Sequence, residues 1–161
     1  MIGPNASTLI NLHTEVKKVE ASIDIEAPPA KTIGAFIHPA PLRGWWGVER
    51  SLIEPADGGV YTLAWKISDK GFGYISSGVI EHYEPGKELR IGHLVYLNPL
   101  RDILGPMKLT IRAAGKKTGP TKLYVCQEGY QEGEEWEWYY QSVVRGWPHA
   151  LKSLKDYLER R

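Results

Sequence analysis

The stretch EWEWYYQSVVRGWPHALKSLKDYLERR, residues 135–161, opens with a strand-like alternation. It then places apolar residues at 136, 140, 143, 147, 151, 154 and 158. Three-and-four spacing held over that length is the rhythm of an amphipathic helix. At about 100° per residue, Trp136, Tyr139 and Tyr140 join a stripe with Val143, Trp147, Leu151 and Leu154, while Trp138 falls on the opposite side. Pro148 removes the hydrogen bond to the Val144 carbonyl, so a kink is expected at Gly146-Trp147-Pro148. Glu132, Glu134, Glu135 and Glu137 near the start, with Lys152, Lys155, Arg160 and Arg161 near the end, complement the helix macrodipole and read as solvated helix ends.

Upstream of the helix the periodicity changes. In VKKVEASIDIEAP, Val19, Ala21, Ile23 and Ile25 alternate with polar residues, the pattern of a half-buried strand. Pro28 and Pro29 suit a first helical turn, and Ile33, Phe36 and Ile37 give a short helix, with a second helical turn in HPAPLRGWWG. Residues 49–130 are strand and turn almost throughout. DGG at 57–59 is a hairpin turn, after which Tyr61, Leu63, Trp65 and Ile67 share a face. Turns at SDKGFG and EPGKE lead to a strand whose Leu89, Ile91, His93 and Val95 share a face. Leu109 and Ile111, then Leu123, Val125 and Gln127, are inward positions of the last two strands. An antiparallel sheet with one charged face must bury the other, and only the last helix is long enough to cover it. The expected fold is α+β: a helix-grip in which a curved antiparallel sheet of about seven strands wraps around a long C-terminal helix, with two short helices after the first strand.

Composition narrows the function classes. The chain has 161 residues with Lys plus Arg 20 and Asp plus Glu 19, so no global field would gather nucleic acid or acidic lipid. No run approaches the roughly 20 apolar residues of a membrane span, and residues 1–16 lack a signal-peptide pattern. Cys126, the single cysteine, fits a reducing compartment, and the cytoplasm is the expected location. Residues 1–14 are expected to form an N-terminal extension and residues 15–161 a single helix-grip domain. Six Trp and nine Tyr against two Phe favour a wet or ligand-lined interior, because Trp and Tyr carry polar tips that need partners.

The pieces IDIEAPPAKTIGAF, Trp45-Trp46, DGGVY, SGVIEHYEPGKEL, TGPTKLYV and GWPHALKSLKDYL occur in this order over about residues 17–160. They resemble the SRPBCC superfamily (START-related and birch-pollen-allergen-like), in the branch related to the activator of the 90-kDa heat-shock protein ATPase. The resemblance implies a helix-grip fold whose members bind apolar small molecules between sheet and helix, contact chaperones or, in distant branches, cyclise polyketides. A fold with so many uses identifies no reaction.

Rings at helical spacing usually fill space, so Trp136, Tyr140 and Trp147 read first as core. Polar residues at inward positions favour a cavity, because buried polar groups need protein, water or ligand partners. The expected ligand-binding set is Tyr61, Trp65, His93, Gln127, Trp136, Tyr140 and Trp147, with His93 and Gln127 orienting a polar group. Its occupant is a small apolar or aromatic molecule. No catalytic residue is assigned. His93 is the weak candidate for proton transfer should the cavity act as a polyketide-cyclase or dehydratase-like enzyme. No cofactor is expected, and no metal, since the histidines form no His-x-His or His-x-x-x-His pair. A co-chaperone-like protein-binding module is the other reading. Trp138 and the Leu9 to Leu12 segment would supply its chaperone or homodimer contact. The aromatic half of the last helix is expected to form a lid, with the long 96–106 connection near the pocket mouth.

Overall fold

The computed structural model describes residues 17–160. The expected extension at 1–14 lies outside the described residues. In chain order come β1 (Lys18–Ile25), α1 (Pro29–Gly34), α2 (Pro39–Trp46), β2 (Arg50–Ile53), β3 (Val60–Trp65), β4 (Tyr74–Glu84), β5 (Glu88–Leu97), β6 (Leu104–Gly115), β7 (Thr121–Glu128) and α3 (Glu134–Leu158). The strands form one seven-stranded sheet in the order β1-β7-β6-β5-β4-β3-β2, and every neighbouring pair is antiparallel. Meander connections place consecutive strands side by side, whereas α1 and α2 carry the chain from one sheet edge to the other. The helix-grip fold expected from the sequence is therefore present.

Local chemistry explains the two short helices. Each begins with a proline at its first position, where a missing N–H costs nothing and φ is already helical. α2 ends at Gly47, whose φ of 71° is the left-handed cap that glycine adopts without a Cβ penalty. Side chains then tie these helices to the rest of the fold. The Tyr61 hydroxyl donates to the Phe36 carbonyl at 2.6 Å, Trp45 Nε1 donates to the Ala35 carbonyl at 2.8 Å, and the Ser153 hydroxyl of α3 donates to the Trp45 carbonyl at 2.7 Å.

The core lies between α3 and the concave face of the sheet. Ile25, Leu63, Ile80, Leu89, Ile111 and Leu123 of the sheet, Ile33 and Leu42 of the short helices, Phe36 of the turn between them, and Leu151 and Leu154 of α3 are all buried within it. α3 runs unbroken through Pro148 for 25 residues. Both Pro148 and Val144 lie on its exposed side, so water can reach the carbonyl that proline leaves without a partner.

Two positions depart from the alternation read in the sequence. β3 stops at Trp65, because Lys66 takes φ 54°, and Ile67 is left exposed instead of sharing the inward face of Tyr61, Leu63 and Trp65. In β5 the register shifts between Ile91 and Leu94, with His93 at φ 49°. A bulge adds one residue to one strand and so reverses the facing of everything after it. Leu89 and Ile91 face inward before it, Leu94 and Tyr96 after it, and His93 lies exposed. Gly78 of β4 permits the close approach at the bulge, since a Cβ there would sit 2.7 Å from Ile91 Cγ2 and 2.8 Å from the Gly92 carbonyl oxygen.

Leu151, buried in the seam between α3 and the sheet, provides the test of this packing. Leu151→Ala should lower stability by about 2–5 kcal/mol, read as a fall in the urea midpoint at unchanged slope.

Candidate functional site

A cavity of about 380 Å³ separates the concave face of the sheet from α3. The sheet contributes Tyr61, Leu63 and Trp65 from β3, Tyr74 and Ser76 from β4, Leu94 and Tyr96 from β5, Leu109 from β6 and Gln127 from β7. α3 contributes Trp138, Tyr139, Ser142, Val143, Gly146, Trp147 and Ala150, and Trp46 closes one end from α2. On α3 these positions recur four residues apart in two adjacent rows, so one helical face lines the space.

The rings form a connected belt. Trp45 and Trp46 stack at 4.7 Å, Trp46 meets Trp65 edge-on at 5.4 Å, and Trp65 stacks on Tyr74 at 5.0 Å. From Tyr74 the belt continues to Tyr96 at 6.2 Å and to Tyr139 at 4.7 Å, while Trp46 also reaches Trp147 at 5.5 Å. Several of their polar tips are held by the protein. Trp65 Nε1 donates to the Trp46 carbonyl at 2.9 Å, and Trp147 Nε1 donates to Gln127 Oε1 at 2.9 Å. Gln127 Nε2 in turn donates to the Tyr139 hydroxyl oxygen at 2.9 Å.

Burial sets the protonation of the lining. It pushes the Tyr139 phenol up to about 12, and it raises Tyr61 and Tyr74 as well, with the neighbouring Tyr96 adding to the effect on Tyr74. All three are neutral hydrogen-bonding groups at physiological pH. Among the described residues the lining carries no carboxylate, ammonium, guanidinium or imidazole.

Beside the cavity, a latch ties a surface connection to the start of α3. Arg101, in the connection 98–103, lays its guanidinium 3.5 Å from the centre of the Trp138 ring and bonds Glu135 Oε2 at 2.7 Å. The Asp102 N–H donates to Glu135 Oε1 at 3.3 Å. The Arg101 hydrogen bond holds the Glu135 carboxyl below the usual carboxylate range, and its place in the first turn of α3 suits an anion.

Of the residues expected from the sequence, the structure brings Tyr61, Trp65, Gln127 and Trp147 together around the cavity. Trp136 and Tyr140 are not in the lining. Trp136 meets Tyr130 edge-on at 6.3 Å, and Tyr140 packs on Tyr130 at 5.0 Å with Lys17 Nζ 4.4 Å from its ring centre. His93 is carried to the outer surface by the β5 bulge. Gln127 spends its side chain on Trp147, Tyr139 and Met107 Sδ, so it positions its neighbours and has no donor free for an occupant. Trp138, expected on the solvent side, is half-buried under Arg101 and lines the cavity. The wheel assumed one buried stripe, but a curved sheet touches α3 over a wider arc. Tyr96 and Leu94 escaped detection because no sequence signal marks the bulge. Tyr74 and Trp46 lie on elements that the sequence placed, but neither was singled out as a lining position.

Other candidate sites are weaker. A wider groove of about 1060 Å³ on the outer surface is lined by small and charged residues, and its Arg112 is committed to Glu88 at 3.2 Å. Among the described residues no cluster of three or more His, Cys, Asp or Glu side chains could hold a metal ion. No described helix is long and apolar enough to cross a membrane.

The family model described as Activator of Hsp90 ATPase homolog 1-like protein matches residues 26–159. Among solved structures, a Mesorhizobium loti protein is similar with a TM-score of 0.69 and 22% identity, over 89% of this chain and 98% of that one. A Chromobacterium violaceum protein gives 0.65 and 23% identity, over 90% and 99%. The Aha1 dimer from Colwellia psychrerythraea gives 0.65 and 16% identity, over 89% and 96%. No curated protein matches the chain.

Two measurements check the polar side of the cavity. Gln127→Leu strands the Trp147 N–H and the Gln127 side of Tyr139, and should cost about 1–3 kcal/mol in chemical denaturation. A phenol whose pKa is higher folded than unfolded stabilises the fold below its ordinary value of 10.0 and loses that contribution as pH rises towards about 12. The melting temperature should therefore fall above pH 10, and less steeply in Tyr139→Phe.

Proposed function

The chain belongs to the Activator of Hsp90 ATPase homolog 1-like family, and on that premise we propose that it binds a small apolar or aromatic molecule in the cavity between sheet and α3. The observation that carries this reading is the belt of Trp and Tyr rings around a space that their own packing does not fill. About 380 Å³ falls at the small end of the range for ligand pockets, roughly 300–1,000 Å³. Rings supply contact area at low entropic cost, and dispersion against them rewards flat occupants. Tyr61, Trp65 and Trp147 are the walls we assign from the sequence-derived set, with Tyr96, Trp138 and Tyr139 added to them.

Binding is favoured over catalysis by the chemistry of the lining. Acid–base work needs a group whose pKa lies near the working pH, and the tyrosines that are shifted are shifted away from it. We assign the cytoplasm as its location, supported by the one buried cysteine, Cys126.

A protein-contact reading rests on one observation. Leu100 and Ile103, at the tip of the 98–103 connection, are 93% and 69% exposed, an apolar pair where polar residues are usual. The Colwellia relative is named as a dimer. Light scattering on the purified protein separates the two readings, because a dimer weakened by Leu100→Ser with Ile103→Ser would favour the contact.

Native mass spectrometry after mild purification, followed by a tryptophan-quenching screen of aromatic metabolites, tests the cavity directly. Binding should protect amides of residues 134–146 and 96–106 from hydrogen exchange, since the latch and the aromatic half of α3 border the occupant. Arg101→Ala should speed ligand release with little loss of stability. Uniform exchange, unchanged by any bound compound, would mean that the rings are only core.

A further inference from the structure

The orientation of two side-chain amides decides what the cavity can recognise. An amide carries one acceptor oxygen and one donor nitrogen, and its partners determine which is which. An indole N–H can only donate, so the Gln127 atom 2.9 Å from Trp147 Nε1 is Oε1, and Nε2 faces the Tyr139 hydroxyl at 2.9 Å. A backbone N–H can only donate too. That of Leu100 lies 3.0 Å from Asn98 Oδ1, which turns Asn98 Nδ2 to the Tyr96 hydroxyl at 3.0 Å.

Two donor-only groups in separate parts of the fold thus force both phenols into the same role. Each accepts a hydrogen bond from an amide and has one proton left to donate. Among the described residues neither proton meets an acceptor. The two rings line one cavity with centroids 4.7 Å apart. Tyr74, 6.2 Å from Tyr96, is a further lining phenol whose hydroxyl has no partner among the described residues. Tyr139 and Tyr96 are therefore fixed as donors towards the space, while the Tyr74, Ser76 and Ser142 hydroxyls of the lining can also accept. An ammonium would find no counter-charge in the lining. A carboxylate would lose its hydration with no cation to replace it.

We propose that Tyr139, with Tyr96 beside it, is the polar anchor of the cavity, and that the occupant is an uncharged aromatic molecule bearing an acceptor oxygen, such as a ketone, quinone or ester. Gln127 is the positioning residue that makes Tyr139 a donor. The inference rests on the binding function proposed above and deepens it by naming the ligand class.

The test compares 9-fluorenone with fluorene, two flat molecules of similar shape that differ in one carbonyl. Tryptophan quenching should show fluorenone binding roughly three- to tenfold tighter, the worth of one net hydrogen bond. The carbonyl stretch of bound fluorenone should move to lower frequency in difference infrared spectra. Tyr139→Phe should remove most of the infrared shift and bring the ratio of fluorenone to fluorene affinity close to one. Tyr96→Phe should weaken the same two readouts to a smaller extent. Equal affinities and an unshifted carbonyl in the wild-type protein would overturn the anchor while leaving the cavity reading intact. So would a carbonyl shift that survives both substitutions. Failure of both compounds to bind would overturn the cavity reading, and this inference with it.

Discussion

One constraint governs this molecule: a concave antiparallel sheet has to be kept from water by a single helix. At 1.5 Å per residue, the 25 residues of α3 extend about 37 Å, long enough to run the length of the sheet. A helix with its side chains is only about 10–12 Å across, however, so it cannot fill the curve by itself. Leucines close the seam at the C-terminal half, where Leu151 and Leu154 are buried. At the other half the sheet stands off, and large rings reach into the gap from both sides. The cavity is what remains between them.

Rings with polar tips solve the filling problem and create another, since each buried N–H or O–H needs a partner. The fold meets the need mostly with backbone carbonyls: Ala35 for Trp45, Phe36 for Tyr61 and Trp46 for Trp65. These bonds fasten α1, α2 and β3 to one another, so the aromatic belt is also a tertiary brace. Gln127 is different, because its partners are side chains, Trp147 and Tyr139 of α3 and Met107 of β6. It links β7 to the helix across the cavity, which makes one residue both structural strut and director of the chemistry facing an occupant. Tyr130, whose hydroxyl is buried with no partner among the described residues, shows that the satisfaction is incomplete outside the cavity.

The site owes its shape to a local irregularity in β5. Had the alternation continued through His93, an imidazole would have entered the cavity and Tyr96 would have faced solvent. The bulge exchanges them, so a phenol stands where an imidazole would have entered. A space that could have held acid–base machinery becomes one lined by neutral hydrogen-bonding groups. Gly78 allows the neighbouring strand to follow the bend, which is why the irregularity is accommodated within the sheet and not at its edge.

Local signals carried the fold. The change from period two to three-and-four rhythm at residue 136, the prolines at 29 and 39 and the glycine-rich turns placed the elements, because those signals act through neighbours in the chain. The sequence also marked Tyr61, Trp65, Gln127 and Trp147 as inward, each on a strand or helix whose phase was unbroken up to that residue. What lay beyond its reach were the facts that depend on distant partners. Which side of α3 meets the cavity, where β5 slips by one residue, and which end of the Gln127 amide faces Tyr139 are each decided by atoms far away in sequence. A side chain's facing is set locally only while the backbone stays regular; once the sheet curves and bulges, the three-dimensional packing determines it.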